Sequence, residues 1–278
     1  TICQGDSVNL GGFPAGSGGS GILSFNWSPS TGISNPSAPN PWAKPSVTTT
    51  YTLTVSDTVV CSRSDTVRIN VRPSPIADAG TTPINLCFKD TVQLGGSPSG
   101  SGGTGTLTYS WSPSTGLSSP SATNPNCFVT NTTTYTLAVT DANNCVGRDQ
   151  VTVNVRALPT AQAGFPSTVV CSTDTLILGG SPSGSGGSGT LSYSWTPTTD
   201  VYGPTLANPP ASPDTTITYY LTVTDSFGCQ GVDSIRVNVN IAPDVDLSGM
   251  VINTGICDSS NASITGITVT GTPTLLYQ

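Results

Sequence analysis

The chain has 278 residues, eight Lys and Arg against fifteen acidic residues, a formal net charge of −7 and no His. Charged residues make up 8% of it, where soluble proteins average about 25%. Missing His excludes Ser-His-Asp and Cys-His catalysis and His-containing zinc sites, all-Asp acidity leaves only Asp–Asp acid–base pairs, and scattered basic residues exclude a phosphate-binding surface.

Taken in chain order, the landmarks are Cys3, Asp6, the stretch "GGFPAGSGGSGILSFNW" ending at Trp27, the pair Asn40-Pro41, Tyr51, Asp57, Cys61 and Pro75. Each recurs after 84 residues and again after another 84. Thus Cys87, Asp90, Trp111, Tyr135, Asp141, Cys145 and Pro159 repeat the set, and Cys171, Asp174, Trp195, Tyr219, Asp225, Cys229 and Pro243 repeat it again. Fixed-period self-similarity marks an array of like domains, and a unit of this size closes its own core. The boundaries fall in "RPSPIADAG", "RALPTAQAG" and "NIAPDVDLSG", joints short enough to be semi-rigid. The expected domains are 1–75 (a first repeat without its leader), 76–159, 160–243, and 244–278 as the truncated start of a divergent fourth repeat. With both ends inside a repeat, the sequence reads as a piece of a longer polypeptide.

Within a unit, "DTVQLGG", "TLTYSW", "TTTYTLAVTD" and "DQVTVNVR" alternate apolar and polar residues and are rich in β-branched and aromatic types, which predicts strands. "DANNC" and "DSFGC" supply turn chemistry before the last strand. No segment carries a helical period, and none approaches the roughly 20 apolar residues of a membrane helix. Seven or so strands around a central Trp predict an all-β fold of tandem immunoglobulin-like sandwiches in an extended array.

Gly100, Gly102 and Gly105 spell G-x-G-x-x-G, the letters of a dinucleotide loop. That site needs a helix after the glycines, and here a strand follows, so the stretch is read as a permissive loop between the second and third strands.

The cysteines point to an oxidising compartment. Two pairings are open. One closes each unit through Cys3–Cys61, Cys87–Cys145 and Cys171–Cys229. The other crosses the joints through Cys3–Cys145 and Cys87–Cys229, with the outer cysteines pairing beyond these residues. An immunoglobulin-like order puts the turn before the second strand and the turn before the last strand at opposite poles, which favours crossing. Cys127 replaces Ala43 and Ala211 and reads as a small buried residue. Trp27, Trp111 and Trp195 read as core anchors, while Trp42 occurs in one copy only and is a candidate contact residue. Asp57, Asp141 and Asp225 suit turn capping, and Asp78 and Asp246 at the joints are the candidates for calcium. No other cofactor is expected.

"ADAG…DTVQLGG…LTYSW…TYTLAVTD…C" resembles the PKD-type and immunoglobulin-like repeats of large secreted Bacteroidota proteins, among them gliding-motility adhesins of the SprB type and other cargo of type IX secretion. The resemblance covers 1–243 well and 244–278 more loosely; "SPSTG" follows Trp27 and Trp111 where PKD domains carry a Gly-Asp-Gly turn. It implies a non-enzymatic, exported cell-surface stalk or filament, with neighbouring repeats, like chains and surface glycans or a substratum as partners. It further implies O-glycans on Asp-Ser/Thr motifs, with Ser7, Thr58, Thr66, Thr91, Thr175, Thr215 and Ser234 as candidates. The alternative is a carbohydrate-binding or spacer module of a secreted hydrolase.

Overall fold

Residues 133–140 read TTYTLAVT, and their period of two buries one face: Tyr135, Leu137 and Val139 are each 0% exposed. The strand pairs antiparallel with Thr108–Ser112 on one side and Val146–Arg156 on the other, which sets Trp111 opposite Leu137 and Tyr135 opposite Val151. Ile84–Cys87 flanks the last strand and completes a four-stranded sheet. Facing it lie two short ladders, Thr91–Gln93 with Asn126–Phe128 and Pro75–Ala77 with Gly100–Gly102. Between the layers sit Ala79, Leu94, Trp111, Cys127, Tyr135, Leu137, Val139, Val151 and Val153. Burying each large apolar side chain contributes about 1.5–3 kcal/mol.

The computed structural model describes residues 1–172, 174–241, 244–253, 263–265 and 268–270. It divides into two compact units, Thr1–Val155 and Arg156–Gln278. The first holds the sandwich just described and a second core of Leu10, Trp27, Ala43, Tyr51, Leu53 and Ile69. There Ser24–Ser28, Thr49–Ser56 and Ser62–Ile69 form the main sheet, while Ile2–Cys3 runs parallel to Val71–Arg72. In the other unit Ser192–Thr196, Ile217–Thr224 and Gln230–Asn240 repeat the arrangement, with Ser167–Cys171 parallel to the last strand. Every regular element among the described residues is a strand. The chain is all-β and built of tandem immunoglobulin-like sandwiches. Further on, Asp244–Asp246 pairs with Thr268–Thr270 and Val251–Asn253 with Ser263–Thr265. Cys257, the cysteine of the expected fourth repeat, lies outside the described residues.

The recurrent polar residues lock the corners. Each indole N–H donates to a carbonyl eleven residues on, Trp27 to Ala38, Trp111 to Ala122 and Trp195 to Leu206. The hydroxyls of Tyr51, Tyr135 and Tyr219 donate to the carbonyls of Thr31, Thr115 and Thr199. The Asn40, Asn124 and Asn208 amides each bridge two carbonyls, such as Leu94 and Gly96 for Asn124. A buried polar tip is tolerable only with such a partner.

The turn before the last strand demands a left-handed residue, filled by Val60 (φ 67°), Asn144 (φ 62°) and Gly228 (φ 84°). Only Val is β-branched, and it is exposed, so its strain has no packing to offset it. Val60→Gly is expected to stabilise the first sandwich by about 1 kcal/mol, read as a higher urea midpoint at unchanged m-value. A lower midpoint refutes the strain.

Candidate functional site at the joint between sandwiches

The chemistry gathers at the joint within the first unit. Cys3, on the strand beside Val71–Arg72, is disulfide-bonded to Cys145, with a Cα–Cα distance of 5.5 Å and a sequence separation of 142. The Arg72 guanidinium donates to Asn143 Oδ1 at 2.6 Å, and Ser74 Oγ donates to the Gln4 carbonyl at 3.1 Å. The paired strands Ile2–Cys3 and Val71–Arg72 of one sandwich are therefore fastened to the final turn of the next, by a covalent bond from Cys3 and a hydrogen bond from Arg72.

The pairing Cys3–Cys61 is not formed. Cys3 registers with Arg72, whereas Cys61 precedes the strand that leads there, roughly 30 Å or more away at about 3.3 Å per residue. Cys87–Cys145 is excluded by the bond to Cys3, and Cys171–Cys229 by the free thiol of Cys171. Cys87 and Cys229 are each disulfide-bonded. Cys61 and Cys171 are free and exposed; Cys127 is free and buried, as are Ala43 and Ala211 at its equivalent positions. Burial pushes the Cys127 thiol up in pKa.

The final turn is organised by its Asp. Asp141 Oδ1 accepts from the N–H groups of Asn143 and Cys145, while Oδ2 accepts from Thr104 in the glycine stretch. Asp57 does the same with Val59, Cys61 and Ser20, and Asp225 with Phe227, Cys229 and Ser188. One carboxylate thus pins a turn to a loop 37 residues earlier. Burial opposes the charge on Asp141, but the N–H groups of Cys145, Thr104 and Asn143 and the Arg72 guanidinium outweigh it and lower its pKa. Asp225 is lowered likewise against burial, by Cys229, Ser188, Phe227 and Arg156. Asp57 is lowered chiefly by the Ser20 N–H.

A depressed carboxylate contributes stability above its unfolded pKa, about 3.9, and loses it as pH falls through the lower folded value. The urea midpoint is therefore expected to fall between pH 5 and pH 2, and Asp141→Asn to flatten that dependence in the second sandwich. An unchanged pH slope in the variant contradicts the clamp.

The glycine stretch is a strand as well as a loop. Gly100–Gly102 pairs with Pro75–Ala77, and Gly184–Gly186 with Pro159–Ala161. Beneath these joint strands lie Gly147 and Gly231, where a Cβ would run into the carbonyl oxygens of Pro75 and Pro159. Neither feature shows in the sequence beyond a Gly shared by two copies at a strand position.

In the second unit, the Arg156 guanidinium stacks on the Phe227 ring at 3.4 Å from its centroid, one period on from Arg72 and Asn143. Asp78 accepts from the Gly80 N–H and Asp246 from the Ser248 N–H, so each caps its own turn. Among the described residues no three acidic or Cys side chains gather as a metal site. Ser7, Thr58, Thr66, Thr91, Thr175 and Thr215 are exposed, and Ser234 is half-buried. Thr58 donates to the Ser20 carbonyl and Thr175 contacts Ser212 Oγ. Trp42 is exposed, unlike the three core tryptophans.

No family model matches the chain, and no curated protein matches it. Among solved structures it is similar to the I67–I69 fragment of titin, at 10% identity over 86% of this chain and 94% of that one, with a TM-score of 0.34. It is similar to extracellular domains 3–5 of Drosophila OTK at 11% identity over 86% and 93%, TM-score 0.31, and to the insect immune protein hemolin at 11% over 86% and 74%, TM-score 0.30. The fold assignment rests on strand order and register rather than on these likenesses.

Proposed function

We propose that the chain is a non-enzymatic structural and adhesive segment of an exported cell-surface protein, a stalk or filament of like repeats serving attachment or gliding on a bacterial surface. The observation that carries the reading is the Cys3–Cys145 bond, which ties one sandwich to the next instead of closing either. Such a bond suits an oxidising exterior and an assembly in which successive domains must keep their orientation. Few charges and many Ser and Thr keep the faces hydrated without steering a charged partner. The gliding role and the Bacteroidota surface follow from the resemblance of the repeat residues.

The repeats are assigned to 1–75, 76–159 and 160–243, with a fourth beginning at 244, and the period assigns Cys87 to Cys229. Electron micrographs of the native assembly test the reading: rods or filaments of repeated domains support it, and a lone globular particle carrying a catalytic domain overturns it. Peptide mapping under non-reducing conditions tests the pairing. The O-glycan candidates predict a native intact mass above that of the bare polypeptide.

One observation favours a second reading. Trp42, on the strand Trp42–Ala43, is 56% exposed, the kind of platform a sugar-binding module uses. Specific glycan-array binding lost in Trp42→Ala supports it.

A further inference from the structure

We infer that the outer face of the short ladder in the third sandwich is a binding site for a neutral sugar chain, with the Tyr202 ring as its platform and the Asp200 carboxylate as its polar anchor. The site rests on the sugar-binding reading given for Trp42 but lies on a different sandwich.

Three segments run side by side there. Leu176 registers with Ala211 and Ile177 with Pro210, Val201 bridges Ala211, and the Tyr202 N–H donates to the Pro210 carbonyl at 2.9 Å. Leu176, Val201 and Ala211 pack into the core. By the period of two, their neighbours Ile177, Pro210 and Tyr202 form a row on the opposite face, where Tyr202 is 62% and Ile177 61% exposed. A polar row lies two strand residues away, at roughly 6.6 Å. In it the Thr175 and Ser212 hydroxyls share a hydrogen bond of 2.7 Å, and the Ser212 N–H donates to the Asp200 carbonyl at 3.0 Å.

The second sandwich fills the first of these rows with Gln93, Asn126 and Ser118, all exposed although another sandwich precedes and follows it in the chain. The face is therefore open in the interior of an array and not merely beside its last sandwich. What changes in the third copy is chemistry, and Asp200 is the costly exchange. It holds φ 59°, where Gly32 and Gly116 hold 78° and 77°. A side chain is disfavoured in that left-handed region, although Asp tolerates it better than most. In those two copies an added Cβ would also meet the carbonyl of Lys44 at 2.9 Å, or that of Phe128, which stand where Ser212 does. Asp141, Asp149, Asp225 and Asp233 each accept from backbone N–H groups, whereas among the described residues the Asp200 carboxylate accepts no hydrogen bond. A backbone cost that no internal bond offsets points to a group held for a ligand.

Charge and shape select that ligand. Between residues 160 and 243 the sole cation is Arg236, whose Nε donates to Asn238 Oδ1 at 3.1 Å on the last strand. Nothing on this face would pair with a phosphate, sulfate or carboxylate. A carboxylate beside two hydroxyls suits a ligand rich in O–H and N–H donors, and Tyr202 between Pro210 and the solvent suits one with a flat apolar side. A sugar ring carries both, with C–H groups on its face and hydroxyls at its rim.

The test uses the full chain carrying Trp42→Ala, so that the first sandwich contributes no platform. The probe is an array of neutral oligosaccharides of glucose, mannose, galactose and N-acetylglucosamine, beside sulfated and sialylated ones. Binding to neutral members is expected, weakened about tenfold or more by adding Tyr202→Ser or Asp200→Gly. Each of these installs the residue that both other sandwiches carry, and Trp195 fluorescence reports an intact core. Binding that survives both substitutions overturns the site, as does binding confined to anionic glycans. Binding by the wild type that vanishes with Trp42→Ala alone keeps the sugar-binding reading and overturns this site; no glycan bound by either chain overturns both. A dimer in sedimentation that Tyr202→Ser dissolves, without glycan binding, gives the face to a second copy and overturns it too.

Discussion

Cys3→Ser is expected to destabilise the second sandwich by about 3 kcal/mol and to make its unfolding less sensitive to reductant. Cys3 is held beside Arg72 by its own folded sandwich, so when the second sandwich opens the bond still anchors its final turn to its entry point. The unfolded segment is then a closed loop of some seventy residues, for which chain entropy sets an upper bound of about 4–5 kcal/mol. Part of that is lost because the Arg72–Asn143 hydrogen bond already biases the ends together. Serine at Cys3 leaves Cys145 as a small buried thiol and opens no large cavity, which makes it the cleaner change. Urea denaturation of the wild type with and without reductant, beside the variant, gives the measurement. Equal midpoints for all three contradict a stapled joint.

Gly147→Val carries the other large effect, about 3 kcal/mol or more. The added Cβ meets the Pro75 carbonyl, which is backbone in a paired strand and cannot rotate away. Moving that strand breaks its ladder with Gly100–Gly102 and pulls Ala79 from its buried place between the layers, which leaves the Asp149 carboxylate without the Ala79 N–H. Gly231→Val repeats the injury in the second unit through the Pro159 carbonyl. The variants are expected to show fast amide exchange at Gly100–Gly102 or Gly184–Gly186 before the rest of the sheet opens. A midpoint within the error of wild type refutes the close approach.

The period of 84, the strand alternation and the core tryptophans were legible because each is local or repeats in the letters. The turn-capping half of Asp57, Asp141 and Asp225 was legible for the same reason. Their third hydrogen bond was not, since it reaches 37 residues back to a loop whose position depends on the whole sandwich. Gly100–Gly102 shows the same limit more sharply. Glycine has poor intrinsic strand propensity, and these residues pair only because Pro75–Ala77 is delivered alongside them. The Gly shared by positions 147 and 231 was visible in the aligned copies but had no meaning until the path of the joint strand was known. Pole geometry favoured the joint-crossing pairing over closure within a unit, and the Cys3–Cys145 bond follows that crossing path.

The Cys3–Cys145 bond also decides what a pull along the chain would stretch. Tension entering at Thr1 leaves the backbone at Cys3, crosses the sulfur atoms, and rejoins the backbone at Cys145. A pull thus meets a covalent path between Cys3 and Cys145 that does not depend on the folded residues 4–144 between them. At roughly 3.5 Å per extended residue, residues 4–144 represent about 500 Å of contour length that cannot be drawn out between those two cysteines. Under oxidising conditions that length is locked away, and reduction leaves only the folding of the enclosed cores to hold Cys3 near Cys145, so the chemical state of one bond sets whether this stretch resists a pull covalently or by its fold alone.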